Sequence, residues 1–153
     1  MRKTEREIAN RAAIDAVIRR CRVCRLGLTD GVEPYIVPLC FGYDGRALYF
    51  HCAREGRKLE ILRRNDRVCF EFDIDEGLVE AEQACGWSIR YQSVMGVGRA
   101  RLVEEPEAQR RALARVMAQY SDRGYTQFPD ATLARTAVIE VAIERISGKQ
   151  SRR

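Results

Sequence analysis

The stretch VCRLGLTDGVEPYIVPLCFGYDGRALYFHC, residues 23–52, decides the reading of the fold. It holds three apolar runs separated by two Asp-Gly pairs, Asp30-Gly31 and Asp44-Gly45. Asp-Gly suits the positive backbone angles of tight hairpin turns, so the stretch predicts a three-stranded antiparallel meander over residues 23–28, 35–43 and 47–52. Pro38 lies inside the middle run and has no amide hydrogen to give to a ladder. The run around it therefore belongs at an edge, a bulge or an irregular site, where backbone groups stay free for another partner.

Working outward, Ile14, Val17, Ile18 and Cys21 recur at helical spacing and predict an amphipathic helix over about residues 4–20. After the meander, residues 55–64 read as a short helix with Leu59 and Leu62 inward. Its Glu55 lies at the start and Arg63 and Arg64 at the end, each matched to the helix dipole. A fourth strand follows over residues 67–73, with Val68, Phe70 and Phe72 alternating against Cys69 and Glu71. Residues 74–86 are acidic and aperiodic and read as a loop, with Leu78-Val79 the one stretch suggesting a short strand. A long strand segment spans about residues 87–103. In it Gly96, Gly98 and Ala100 share one face, which in a strand marks a bulge, a barrel bend or close backbone approach. The Gly-x-Gly is not a dinucleotide fingerprint, because Arg101 follows and no helix begins there. Pro106 opens a helix carrying Leu113, Val116, Met117 and Tyr120, and a last strand alternates Ile139, Val141 and Ile143 with Glu140, Ala142 and Glu144. About six hairpin-joined strands with about three outer helices make a small antiparallel barrel, mainly β or α+β, in a single domain over residues 1–153.

Composition narrows the function classes. Hydrophobic residues make up 46% and charged residues 32% of the 153, ordinary for a globular chain. No apolar stretch approaches the ~20 residues of a membrane span, and the first residues lack the apolar core of a signal peptide, so a cytoplasmic protein off the membrane is expected. The net charge of +5 could suggest nucleic acid, yet the arginines are spread along the chain and interleaved with acids. A solvated surface is the expectation. Cys21-Arg22-Val23-Cys24 matches C-x-x-C, but it lies at a helix-to-strand passage and no second pair with zinc spacing follows. No metal site is expected. A single histidine rules out a histidine cluster for zinc, and neither a Gly-x-Ser-x-Gly elbow nor a P-loop is present.

The single histidine, His51, ends the run Leu48-Tyr49-Phe50 and precedes Cys52-Ala53-Arg54-Glu55-Gly56-Arg57-Lys58. Free amides at a helix start, joined by Arg54, Arg57 and Lys58, are what a phosphate needs. A redox-active ring carrying a phosphate, such as FMN, also needs an apolar slot with polar edges, which backbone beside Pro38 can offer. It needs a nearby proton source too, and His51 suits that near neutral pH. The residues alone leave His51 equally readable as a strand end with a satisfied hydrogen bond. Tyr91 and Ser93 project from one strand face, either toward a ring edge or phosphate, or as a cross-strand aromatic and a surface hydroxyl.

Two strings carry a family resemblance: Tyr35-x-Val37-Pro38-Leu39-x-Phe41-Gly42-Tyr43-Asp44-Gly45, and Leu48-Tyr49-Phe50-His51-Cys52-Ala53-x-x-Gly56-x-Lys58. With Arg90-Tyr91-x-Ser93-Val94-x-Gly96-x-Gly98 and the ending Ile143-Glu144-x-Ile146-x-Gly148-Lys149, the chain resembles the nitroimidazole-resistance proteins. These belong to the pyridoxamine 5′-phosphate oxidase-like flavin proteins. The resemblance implies a six-stranded split β-barrel over about residues 23–147 and a homodimer with FMN in clefts at the interface. It places Pro38, Leu39, Cys40 and Phe41 along the ring, Arg57 and Lys58 at the phosphate, and Tyr91 and Ser93 at the cleft, with Val37 and Tyr49 also among the cofactor-binding residues. His51 corresponds to the catalytic histidine beside the flavin. Cys40 departs from the family pattern, which more often has Asn or Ser, and a thiol is a weak donor. The implied activity is NAD(P)H-dependent reduction of a nitroaromatic or other small electron-poor acceptor. The alternative within the same superfamily is a haem- or flavin-binding protein without turnover, with the lone histidine as an axial ligand.

Overall fold

The chain enters through a two-residue strand, β1 (Glu7–Ile8), and helix α1 (Arg11–Arg20), in a computed structural model that describes residues 4–151. The helix begins later than the periodicity predicts, because the Asn10 side chain caps it by accepting from the Ala12 amide at 2.8 Å. Ile14, Val17, Ile18 and Cys21 are buried, as their spacing predicts. The strands and helices that follow are β2 (Cys24–Thr29), β3 (Pro34–Leu39), β4 (Gly42–Tyr43), β5 (Ala47–Ala53), α2 (Arg57–Arg64) and β6 (Arg67–Val79). Then come β7 (Ser88–Leu102), α3 (Pro106–Tyr120), the single-turn α4 (Asp130–Leu133) and β8 (Thr136–Ser151). All pairings are antiparallel, in the order β3-β2-β6-β7-β8-β5-β4, with β1 on β8. Among the described residues no helix is long and apolar enough to cross a membrane.

Both Asp-Gly turns form. Asp30 Oδ1 accepts from the amides of Val32 and Glu33, and Asp44 Oδ1 from those of Arg46 and Ala47, at 2.8–2.9 Å. The meander does not. The middle run breaks at Cys40-Phe41, so β3 pairs with β2 at one end of the sheet and β4 pairs with β5 at the other. The sheet curls until those ends are joined by two residues of chain without a ladder between them, which is a split barrel. Pro38 sits on the edge strand β3, where its missing donor costs nothing. The Tyr120 hydroxyl spans the break, accepting from the Phe41 amide at 2.9 Å and donating to the Arg22 carbonyl at 2.7 Å.

Two further expectations need correction. Residues 74–79 continue β6 rather than opening a loop, since their acids face outward and their backbone pairs with β7 across a register shift between Asp75 and Leu78. In α2 the fully buried pair is Leu59 and Ile61, whereas Leu62 is only partly buried.

The barrel core holds Phe41, Phe50, Phe70 and Phe72, with the rings of Phe41 and Phe72 4.8 Å apart. Gly96 and Gly98 are close-approach positions: a Cβ would lie 2.2 Å from the Phe70 ring at the first and 2.2 Å from the Ala142 carbonyl at the second, where the β7–β8 register shifts. A second cluster, Val103, Ala112, Leu113, Leu133 and Val138, lies between β8 and the helices α3 and α4. There α3 crosses β4 so closely that a Cβ on Gly42 would come within 2.5 Å of the α3 backbone. Cys21 and Cys24 are buried, and burial pushes the Cys21 thiol up to about 11 and Cys24 further still, so the C-x-x-C pair is held as inert thiols.

Candidate functional site

On β5 the pleat sends Leu48 and Phe50 into the core, fully buried, and turns Tyr49 and His51 the other way. His51 is exposed and stands across the ladder from Val138. Among the described residues it makes no hydrogen bond or ion pair, so both ring nitrogens face solvent or a ligand. The Tyr49 hydroxyl donates to Asp44 Oδ2 at 2.7 Å, and burial together with that carboxylate raises its pKa.

The strand leads into the start of α2. Gly56 takes φ of 124° at the N-cap, a backbone region that favours glycine, and the space where a side chain would stand is open. Helix geometry leaves the amides of Arg57 and Lys58 without an intrahelical acceptor. Lys58 lies half-buried against Cys52; burial raises that thiol's pKa and the ammonium partly offsets the effect. Arg57 is already engaged, donating to Glu33 at 2.6 Å with its guanidinium 5.1 Å from the centre of the Tyr35 ring. Arg54 turns away from the helix start and donates to the Ala134 carbonyl at 2.9 Å.

The remaining candidates divide by sheet face. On β3, Val37 and Leu39 pack partly against the core, while Ile36, Pro38 and Cys40 face outward. Tyr91 and Ser93 point the opposite way from buried Val94, onto that same outer face. There Lys149 lies 6.0 Å over the Tyr91 ring, and Arg25, the cross-strand neighbour of Pro38, binds Glu71 at 3.1 Å and also Asp73. The Phe41 side chain is wholly buried and its amide is taken by Tyr120, so it can offer a ligand only its carbonyl. The Cys40 thiol neighbours the Tyr120 hydroxyl, whose pKa is pushed up to about 12 by burial first. The structure thus gathers Pro38, Cys40, Tyr91 and Ser93 on one face, while Arg57 lies over Tyr35, which packs toward the core, and Lys58 lies against Cys52 of β5. His51 and Tyr49 stand on β5, the last strand but one toward the opposite end of the sheet order. Sequence reasoning passed over Arg25, Glu33 and Tyr120, whose partners lie 24 to 98 residues away.

A family model described as pyridoxamine 5′-phosphate oxidase matches residues 10–150. The chain belongs to this family. A candidate 5-nitroimidazole antibiotic resistance protein from Bacteroides thetaiotaomicron is 33% identical, with 94% of this chain and 86% of that one covered at a TM-score of 0.84. The pyridoxamine 5′-phosphate oxidase fold recurs in an FAD and haem binding protein from Mycobacterium smegmatis, at 20% identity, 97% and 74% coverage and a TM-score of 0.88. It recurs again in a flavocytochrome from Azotobacter vinelandii, at 22% identity, 99% and 72% coverage and a TM-score of 0.82. No curated protein matches the chain.

Proposed function

We propose that this chain is an FMN-binding oxidoreductase that uses NADH or NADPH to reduce nitroaromatics or other small electron-poor acceptors, working as a cytoplasmic homodimer. The observation carrying the proposal is the 33% identity, across nearly the whole chain, with the Bacteroides 5-nitroimidazole resistance candidate. The residues fit the group. An anion at the start of α2 meets the Lys58 ammonium and the amides of Arg57 and Lys58, and nothing crowds the space over Gly56. When bound, FMN supplies a ring that takes up and returns electron pairs.

The chain's own residues hold and frame that group. Lys58 and the helix amides bind the phosphate, while Glu33 fixes Arg57 beside them. Pro38 and Cys40 meet the ring from the outer face, Val37, Leu39 and Phe41 contribute backbone, and Tyr49 is steadied by Asp44. Tyr91 and Ser93 border the cleft. His51, with no described partner, is free to hold a proton for the acceptor. Ile36 and Met95, 69% and 59% exposed on the outer face, are the apolar surface for the second copy.

FMN titration of the purified chain followed by flavin fluorescence tests the site. A charge-assisted hydrogen bond contributes about 1.5–3 kcal/mol, so Lys58→Ala should weaken binding roughly ten- to a hundredfold. Equal affinity of variant and parent would remove Lys58 from the site. The second reading, a haem- or flavin-binding protein without turnover, is favoured by the unpartnered, exposed His51, an imidazole open to a metal. It predicts a Soret band after haem addition that His51→Ala abolishes; a chain that shows no Soret band contradicts it.

A further inference from the structure

We infer that the cavity walled by α2, α3, α4 and β8 is a second ligand site, one that takes a small organic anion with a flat apolar body and an N–H donor. The cavity measures about 480 Å³, within the range of small-molecule sites. Leu59, Val103, Leu133 and Val138 wall it, each nearly or fully buried, so a ring or hydrocarbon body finds apolar contact there.

Three polar side chains give the cavity its selectivity. Gln109 is only 7% exposed, and its Nε2 donates to the Val103 carbonyl at 2.8 Å. That bond fixes which end of the amide is which. It leaves Oε1 on the cavity wall with no donor among the described residues. Every fully buried side-chain nitrogen and oxygen among the described residues has a partner, so this Oε1 opens onto the cavity, where a ligand N–H can bond it. Arg54 is steadied over the cavity by its bond to the Ala134 carbonyl at 2.9 Å, with its other guanidinium hydrogens still available. Arg63, from the last turn of α2, also lines the cavity and makes no hydrogen bond or ion pair with any described residue. Of the two acids on the rim, Asp130 is taken by Arg110, leaving Glu104 against two guanidinium groups. The balance favours a carboxylate or phosphate at Arg54 and Arg63. The cavity lining includes neither Arg57, Lys58 nor any residue named on the outer sheet face, so the inference does not depend on the flavin reading.

Calorimetric titration of the purified full chain with indole-3-acetate tests the site, because that probe joins an apolar bicycle, one N–H and one carboxylate. The expected result is one molecule bound per chain, undiminished by saturating FMN. Arg63→Ala, at an exposed position that leaves the fold intact, should weaken binding tenfold or more. 1-Naphthylacetate, of like shape and charge but without the N–H, should bind several-fold more weakly than the indole, as should the uncharged indole-3-ethanol. Absence of binding at millimolar probe, displacement by FMN, or equal affinity of Arg63→Ala and the parent would overturn the inference.

Discussion

The Tyr120 hydroxyl joins two chain segments that no ladder connects, the amide of Phe41 and the carbonyl of Arg22. Tyr120→Phe keeps the ring and removes both bonds. The exposed Arg22 carbonyl turns to water, whereas losing the part-buried bond to the Phe41 amide costs about 0.5–1.5 kcal/mol, and such a loss lowers the melting temperature by roughly 2–4 °C per kcal/mol in a chain of this length. A thermal melt unchanged by the substitution would show that the break is closed by other contacts. Tyr43 and Tyr120 are both pushed up to about 12, in each case by burial first, with the Asp15 carboxylate next for Tyr43. A raised acid keeps its proton in the native state, so its contribution is complete below the unfolded value of about 10 and is lost as pH rises toward 12. Urea midpoints should therefore hold steady from pH 7 to 9 and fall between 10 and 12; a flat profile to pH 12 would contradict the burial of these hydroxyls. His51 stands differently. Its place after an apolar strand and before a basic helix start was legible in the sequence, but its exposure and lack of a partner come only from the pleat of β5.

Among the elements, β4 is the shortest of consequence, and Gly42 is what lets α3 lie across it. Gly42→Ala puts a methyl within 2.5 Å of helix backbone that cannot swing aside. Overpacking of this kind costs about 1–3 kcal/mol, and the denaturant midpoint should fall accordingly, while a midpoint equal to the parent's would mean that α3 has room to shift. The hairpin turns were readable because Asp30 and Asp44 act on amides two and three residues away. The break at Cys40-Phe41 was not, because it is set by Tyr120, 79 residues on from Phe41, and by a helix that local periodicity cannot see. Residues 74–79 misled for a related reason: acids that suggest a loop are also what a strand presents on a polar outer face. Pro38 narrowed its run to an edge, a bulge or an irregular site, because it has no donor for a ladder, and the pairing makes it an edge.

At the scale of the whole molecule, the outer face of the sheet gathers Ile36, Pro38, Cys40, Tyr91, Ser93 and Met95, an apolar and polar mixture that a second copy and a ring can share. Met95→Glu sets a charge in the middle of that face without touching the core. Sedimentation should then report a dimer for the parent and a monomer for the variant; equal sedimentation of the two would move the interface elsewhere. The family, the fold and the free helix start together make the flavin the central claim. Its most direct test is the visible absorption spectrum of the purified, FMN-supplemented protein, recorded before and after NADH or NADPH is added without oxygen. The account predicts flavin bands that bleach on addition and return with a nitroaromatic acceptor. A colourless protein that takes up no FMN would contradict it.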